Sequence, residues 1–450
     1  MSAPHSAVAL LRRLYQRIVP HALRARWSEQ RLERRKHAHV FARTSRWVLP
    51  NSDERAVSPA VGPQAGEMLP GVNLVGYFRA QFGLAECARA YARALMAAGI
   101  PVAFHDVDLG IPHDRGERSL EHRISNTLPH PVTILFINPD YLAQALEEIG
   151  PARLKSSYLI GCWFWELERL PESWLPALRE VDEIMVATRF VEQATRAVTD
   201  KPVLNVPIPL SPLPDSGLQR EDFGLDPEAF VFLFTFDFSS WVWRKNPLAV
   251  IAAFKRAFAA DRSDVQLLIK SSNGFRHPDW FRLVVDAVDG DPRIILRDDV
   301  IERPHLIALQ RCADVYVSLH RAEGFGMGMA ESMSMGKPVI ATGWSGNMSF
   351  MDEHSAALVG YRMIPVEPGQ YRDGDGQQWA EADTQQAAEW MRRLADHPED
   401  ARQLGERGRA HVEEILSPQR VAATILHRLR EILPPGSPPE SGSNPPETRQ

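Results

Sequence analysis

The sequence is poor in cysteine: Cys87, Cys162 and Cys312 stand far apart among 450 residues. An odd, scattered set gives neither a disulfide framework nor the spacing of a zinc site, and it suits a reducing compartment. Long apolar runs are missing too. None approaches the roughly 18–20 residues of a transmembrane helix, and the N-terminus lacks the apolar core of a secretory signal. Charge of one sign is not in excess: 51 Lys and Arg face 57 Asp and Glu, a net −6, so no global charge calls for nucleic acid. What these deficits leave is an ordinary globular chain, expected in the cytoplasm and long enough for two to three domains.

The basic residues that are present cluster. From Arg12 to Arg46, cations including Arg12, Arg13, Arg17, Arg34, Arg35 and Lys36 are opposed only by Glu29 and Glu33. Val8, Leu11, Leu14, Tyr15 and Ile18 recur at helical spacing. Residues 1–47 therefore read as a basic amphipathic helical extension. Residues 8–46 are expected to touch an anionic membrane peripherally, at the inner face of the cytoplasmic membrane. A solvated basic extension or a helix packed on the body is the alternative. Residues 48–69, rich in Pro, Ser and Gly, read as a linker.

From residue 70 the pattern alternates strand and helix, which implies parallel sheets. Strands are expected at Val72–Tyr77, Val102–His105, Val132–Ile137, Ser157–Cys162 and Glu183–Ala187, and helices near 84–98, 141–148 and 190–199. A proline-rich bridge around residue 210 opens a second unit. Its expected strands are Phe230–Phe236, Gln266–Lys270, Ile294–Leu296, Asp314–Ser318 and Pro338–Ala341, with helices near 247–259, 280–288, 303–312 and 328–335. The fold class is α/β, with two similar units, 70–210 and 211–415, facing a cleft. A helix at 416–433 is expected to pack back on the first unit. Residues 434–450 read as a disordered tail.

The segment DVYVSLHRAEGFGMGMAESMSMGKPVIATGWSGN, 314–347, carries the sharpest chemistry. Gly324 and Gly326 precede a helix whose free amides and positive dipole end suit a phosphate. Glu323 and Glu331, eight positions apart, can accept hydrogen bonds from sugar hydroxyls. His320 lies just before the turn, where it either meets the donor or satisfies the strand end. A second constellation, FTFDFSSWVWRKNP, brings Ser239, Arg244 and Lys245 to the predicted carboxyl edge of the sheet. Asn246 reads there as an N-cap and Pro247 as the first helical residue. Two cations there can neutralise a diphosphate; a capped helix with solvated charges is the bland reading. Lys270 ends a strand at the same edge, as a third cation or a snorkelling lysine. In the first unit, Gly83 and Leu84 open a helix after a loop. In GCWFWELERLPESW, Trp163, Trp165 and Glu166 either bind sugar or pack between domains.

These motifs resemble the retaining glycosyltransferases of family 4, the group 1 glycosyl transferases of polysaccharide and O-antigen synthesis. HRAEGFGMGMAESMSMGKPVIAT resembles their Glu–x7–Glu segment, and FDFSSWVWRKNP their phosphate segment. GYFRAQFGLAECARAYARAL and GCWFWELERLPESW are similar to the matching N-terminal segments, so the resemblance spans about 70–432. It implies a GT-B fold of two Rossmann-like domains. It implies a nucleotide-diphosphate sugar as donor, a glycan or lipid-linked acceptor, retention of anomeric configuration, and no required metal or other cofactor. Carried over, Glu331 binds the donor ribose and Glu323 the transferred sugar. The amides of Phe325, Gly326 and Met327 hold the phosphates, and Lys245 neutralises the leaving diphosphate. Ser239 stands where the family often has arginine, which leaves Arg244 or Lys270 as the second cation. Ala85 stands where a second loop glycine is usual. Two other functions fit the same fold: a nucleotide-sugar epimerase, and a catalytically silent sugar- or nucleotide-binding scaffold.

Overall fold

The computed structural model describes residues 69–111, 115–210 and 213–433. The basic extension of residues 1–47, nearly all of the linker and the tail 434–450 lie outside the described residues.

The first unit runs β1 (Val72–Gly76), α1 (Gly83–Ala97), β2 (Val102–Asp106), β3 (Val132–Leu135), α2 (Pro139–Ile149), β4 (Tyr158–Cys162), β5 (Glu183–Val186), α3 (Arg189–Arg196) and β6 (Val203–Asn205). The second runs β7 (Phe230–Asp237), α4 (Pro247–Ala257), β8 (Val265–Ser272), α5 (Pro278–Val288), β9 (Ile294–Asp298), α6 (Arg303–Cys312), β10 (Val315–Ser318), α7 (Met327–Ser334), β11 (Val339–Thr342) and β12 (Ala357–Val359). An antiparallel hairpin, β13 (Tyr361–Pro365) and β14 (Gln378–Ala382), precedes α8 (Thr384–Asp396), α9 (Pro398–Ile415) and α10 (Pro418–Ile432).

Each unit holds a six-stranded parallel sheet, ordered β2-β1-β3-β4-β5-β6 and β12-β11-β10-β7-β8-β9. Strands buried on both faces read as nearly continuous apolar runs. In β7, Phe232, Phe234 and Phe236 face one side and pack with Val250 and Phe254 of α4. Val231 and Leu233 face the other, with Ala308 and Leu309 of α6 and Ala330 of α7. The two-residue period of a strand divides the side chains between these layers. Strand order reverses between β1 and β3 and between β7 and β10. Ligands favour the crevice at such a point, outside the carboxyl ends of the strands. The loops 77–82, 136–138, 238–246 and 319–326 all emerge there.

The terminal helix α10 returns to the first unit and packs on α1. Arg428 of α10 forms an ion pair at 2.8 Å with Glu183 of β5, whose side chain is 1% exposed. Tyr158 donates a further bond to the same carboxylate. Several elements go beyond the sequence reading: β6, β12, the β13–β14 hairpin, α8 and α9. The two lone strands have three residues each, too few to display a period. The helices did carry start signals. The Asp383 carboxylate accepts from the Gln385 and Gln386 amides at the head of α8, and Pro398 opens α9. Among the described residues no helix is long and apolar enough to cross a membrane.

Removing Arg428 would strand the Glu183 carboxylate away from water. Because Arg428 itself is partly solvated, Arg428→Ala should cost about 2–3 kcal/mol, read as a lower urea midpoint with an unchanged slope.

Candidate active site

The wall built by β7 depends on a turn that only particular residues can make. The Asp237 carboxylate accepts from the Ser239 amide at 2.7 Å and from Asn273 Nδ2 at 2.8 Å. The chain then makes a single helical turn, Val242–Lys245, between Trp241 at φ 66° and Asn246 at φ 56°. Asn246 occupies the N-cap position of α4, but its side chain makes no capping bond. Its tolerance of left-handed backbone is what the turn uses, a correction to the capping role read from sequence. This turn aims Arg244 and Lys245 at the cleft.

The second wall leaves β10. His320 is fully buried, its ring bonded to Ser318 Oγ at 3.0 Å and Asn347 Oδ1 at 3.0 Å. Burial lowers its pKa, so the ring is neutral. It braces the turn that follows and does not line the cleft. The Glu323 amide donates to Ser345 Oγ at 2.8 Å, and Gly346 N donates to the Glu323 carbonyl at 2.8 Å. Gly326 adopts φ 98° immediately before α7, a left-handed conformation that glycine enters without strain. Phe325, Gly326 and Met327 line the cleft at this helix start, where the first amides have no intrahelical acceptor.

The two walls meet at Glu323. Lys245 Nζ lies 2.5 Å from its Oε1 and Arg244 Nη1 3.1 Å from its Oε2. Burial would raise the Glu323 pKa, but the two cations outweigh it and hold the carboxyl at about 2. Burial pulls the Lys245 ammonium down, and Glu323 opposes that. Arg244 also donates to the Ala322 carbonyl at 2.9 Å and the Ser240 carbonyl at 3.2 Å. Its guanidinium is thus engaged in holding the glutamate turn. Ser239 is exposed and lines the cleft. Lys270 does not: its ammonium is buried and donates to the carbonyls of Ser271 at 2.8 Å and Asp299 at 2.5 Å. It ties β8 to the end of β9, which corrects its placement as a donor-facing cation.

Glu331, on α7, opens into a smaller space of about 40 Å³ that also touches Arg303, Glu86 and Met327. Its carboxylate is paired with Arg303 and accepts from Gln310 Nε2 at 3.3 Å. Arg303 Nε also lies 3.8 Å from Glu86 of α1, so a guanidinium of the second unit bridges carboxylates of both. A ligand reaching Glu331 must displace Arg303.

The main cleft has a volume of about 500 Å³. Its opposite half includes Gly83, Leu84, Phe164 and Glu166. Trp163 and Trp165 are 1% and 0% exposed and point into the core instead, which corrects their placement as ligand-facing. The chain is extended here, so successive side chains alternate faces; Phe164 and Glu166 take the open one. Glu166 Oε2 accepts from Tyr371 at 2.6 Å, and Oε1 lies 3.7 Å from Arg244 Nη2. Gly324 presses on the same strip. A β-carbon there would sit 2.9 Å from the Trp165 carbonyl oxygen.

Several lining residues escaped sequence reasoning: Thr235, Tyr316, Arg303, Asp140 and Arg372. Thr235 and Tyr316 could have been found, since they follow from the register of β7 and β10, paired Tyr316 with Leu233. Arg372 could not, because it arrives on a loop whose Tyr371 bonds Glu166 across 205 positions of sequence. Among the described residues, no group of three or more His, Cys, Asp or Glu is arranged to hold a metal ion.

Residues 229–368 match the family described as glycosyl transferases group 1. Over 238 residues the chain is 30% identical to trehalose synthase of Rubrobacter xylanophilus, covering 50% of each; the chain thus spans about half the length of that curated relative. Sucrose-phosphate synthase from Thermosynechococcus elongatus superposes with a TM-score of 0.57 at 17% identity, over 81% of this chain and 99% of that one. HepE from Anabaena, solved in complex with UDP and glucose, gives 0.55 at 14%, over 80% and 100%. The shared architecture is the GT-B fold.

The inter-unit carboxylate Glu86 yields a pH prediction. Burial would raise its pKa, yet Arg303, Arg89 and Arg93 hold it at about 2, against 4.5 for a free glutamate. A depressed folded pKa contributes stability that is complete above the unfolded value and lost as pH falls toward the folded one. Urea midpoints of Glu86→Gln should therefore lie below those of the parent at pH 7. The gap should close as pH falls from about 4.5 toward 2.

Proposed function

We propose that this chain, whose residues 229–368 carry a group 1 glycosyl transferase domain within a GT-B fold, transfers a hexose from a nucleotide-diphosphate sugar to a glycan or lipid-linked acceptor, with retention of configuration. One observation carries the reading. Glu323 and Glu331 bracket a glycine-preceded helix N-terminus, and the Lys245 ammonium lies directly against Glu323.

In this reading the free site is self-neutralised. Lys245 and Glu323 hold one another until a donor arrives. The diphosphate then takes the ammonium and the amides at the start of α7, and the hexose hydroxyls take Glu323. Glu331 exchanges Arg303 for the ribose hydroxyls. Charge-assisted bonds of this kind contribute about 1.5–3 kcal/mol each.

Departure of the nucleoside diphosphate breaks its bond to the anomeric carbon. The acceptor oxygen bonds that carbon on the same face, and its proton passes to the departing phosphate oxygen. No protein nucleophile is needed. The protein positions both substrates and stabilises the charge developing on the leaving group. Lys245 and the α7 dipole serve that role, while Arg244 fixes the Glu323 turn between them. The acceptor enters from the half lined by Gly83, Leu84, Phe164 and Glu166. Peripheral contact of residues 8–46 with an anionic membrane would bring the chain to a lipid-linked acceptor.

Lys245→Ala and Glu331→Ala should each lower transfer by at least about 100-fold while leaving the folded far-ultraviolet spectrum intact. Parent-like activity in both would overturn the assignment. The product formed by the parent enzyme should keep the donor's anomeric configuration by proton NMR; an inverted product would refute retention, and an isomerised donor would indicate an epimerase. Thermal shifts against UDP and GDP should identify the base, since a ligand at about 100 times its Kd adds roughly 2.7 kcal/mol of stability.

A further inference from the structure

The loop 366–377 leaves the β13–β14 hairpin of the second unit and docks on the first. Gln377 accepts from the Arg169 amide at 3.0 Å, Arg169 donates to the Gly376 carbonyl at 2.6 Å, and Tyr371 bonds Glu166. Residues 369–377 of this strap lie beyond the residues that match the transferase family. It carries Arg372 into the open half of the cleft.

Arg372 pairs with Asp140, at the start of α2, at 2.8 Å. Its guanidinium lies over the rings of Trp165 and Trp174, 5.6 and 5.8 Å from their centroids. Asp140 is fixed from behind by Trp174 Nε1 at 3.0 Å. Both groups line the cleft, and the Arg372 side chain is 38% exposed. The pair is neutral as a unit, so it offers no net attraction to an anion. What it offers is a rigid row of donors beside fixed acceptors, the complement of neighbouring hydroxyls on a pyranose ring. Phe82, Tyr141 and Phe164 flank it on the same lining and can cover the apolar face of a sugar. A continuous hydrocarbon chain would have to desolvate the ion pair without replacing its hydrogen bonds.

We infer that Asp140 and Arg372 form an acceptor subsite for a neutral saccharide, assembled only when the strap of one unit docks on the other. The inference rests on the transferase reading and narrows its acceptor to a sugar ring at this position. Trp165, expected from sequence to touch ligand, acts beneath the subsite instead: with Trp174 it forms the platform on which Arg372 lies.

The test uses the full chain with UDP present, on a glycan array and then by saturation-transfer NMR with methyl hexopyranosides and their disaccharides. The parent protein should retain a subset of neutral glycans. Arg372→Met and Asp140→Asn should each weaken that binding by about ten-fold or more, with UDP affinity and melting temperature kept. Equal glycan binding by both variants overturns the subsite. So does a parent that binds UDP and retains no neutral glycan, or that retains only anionic glycans. Loss of UDP affinity together with glycan binding in both variants assigns the pair a purely structural role and also overturns it. A parent that binds no nucleoside diphosphate fails at the earlier step and overturns the transferase reading itself.

Discussion

A carboxylate buried between two cations organises this cleft. Glu323 stands at the end of a turn that Ser345, Gly346 and His320 brace from behind, and Arg244 and Lys245 close on it from the neighbouring strand. An unpaired charge in that position would be prohibitive, so the pairing dictates the geometry of both loops. The strained backbone at Trp241 and Asn246 exists to present those cations. Such outliers persist only where surrounding structure enforces them, and they gather at functional sites.

The same economy governs how the two units meet. Arg303 bridges Glu331 and Glu86, Arg244 reaches from Glu323 toward Glu166, and Tyr371 bonds Glu166 from the strap. Residues that face the proposed donor therefore also hold the units together. A donor that takes Glu331 from Arg303 frees a guanidinium that also reaches Glu86 of the first unit, so it changes an inter-unit contact in the same step. Gly324 permits this closeness, since its missing side chain leaves room for the Trp165 carbonyl. Opening and closing of such domains commonly gates catalysis.

Much of the architecture was legible because its signals are local. The apolar runs of β1, β7 and β10, Gly99 after α1 and Pro247 at the head of α4 are statements about neighbouring residues. Glu323, Lys245, Gly326 and Met327 could be assembled into one site because parallel-sheet topology brings the ends of β7 and β10 together. Lys270, Trp163 and Trp165 illustrate the limit. Each sits at the expected strand end, yet which way a side chain turns there depends on a two-residue period and on carbonyls far along the chain.

Local pattern along the chain was enough for two parallel α/β units, a glycine-rich turn between two glutamates, and a lysine near it. These follow from propensity, periodicity and glycine placement, which act over a few residues. It took the folded chain to pair Glu323 and Glu331 with Lys245 and Arg303, to set Arg244 and His320 behind the turn, and to deliver Arg372 to Asp140 on a strap. Those facts depend on contacts between segments up to more than two hundred residues apart. Such contacts are set by how two cores pack against each other, and no local pattern encodes that.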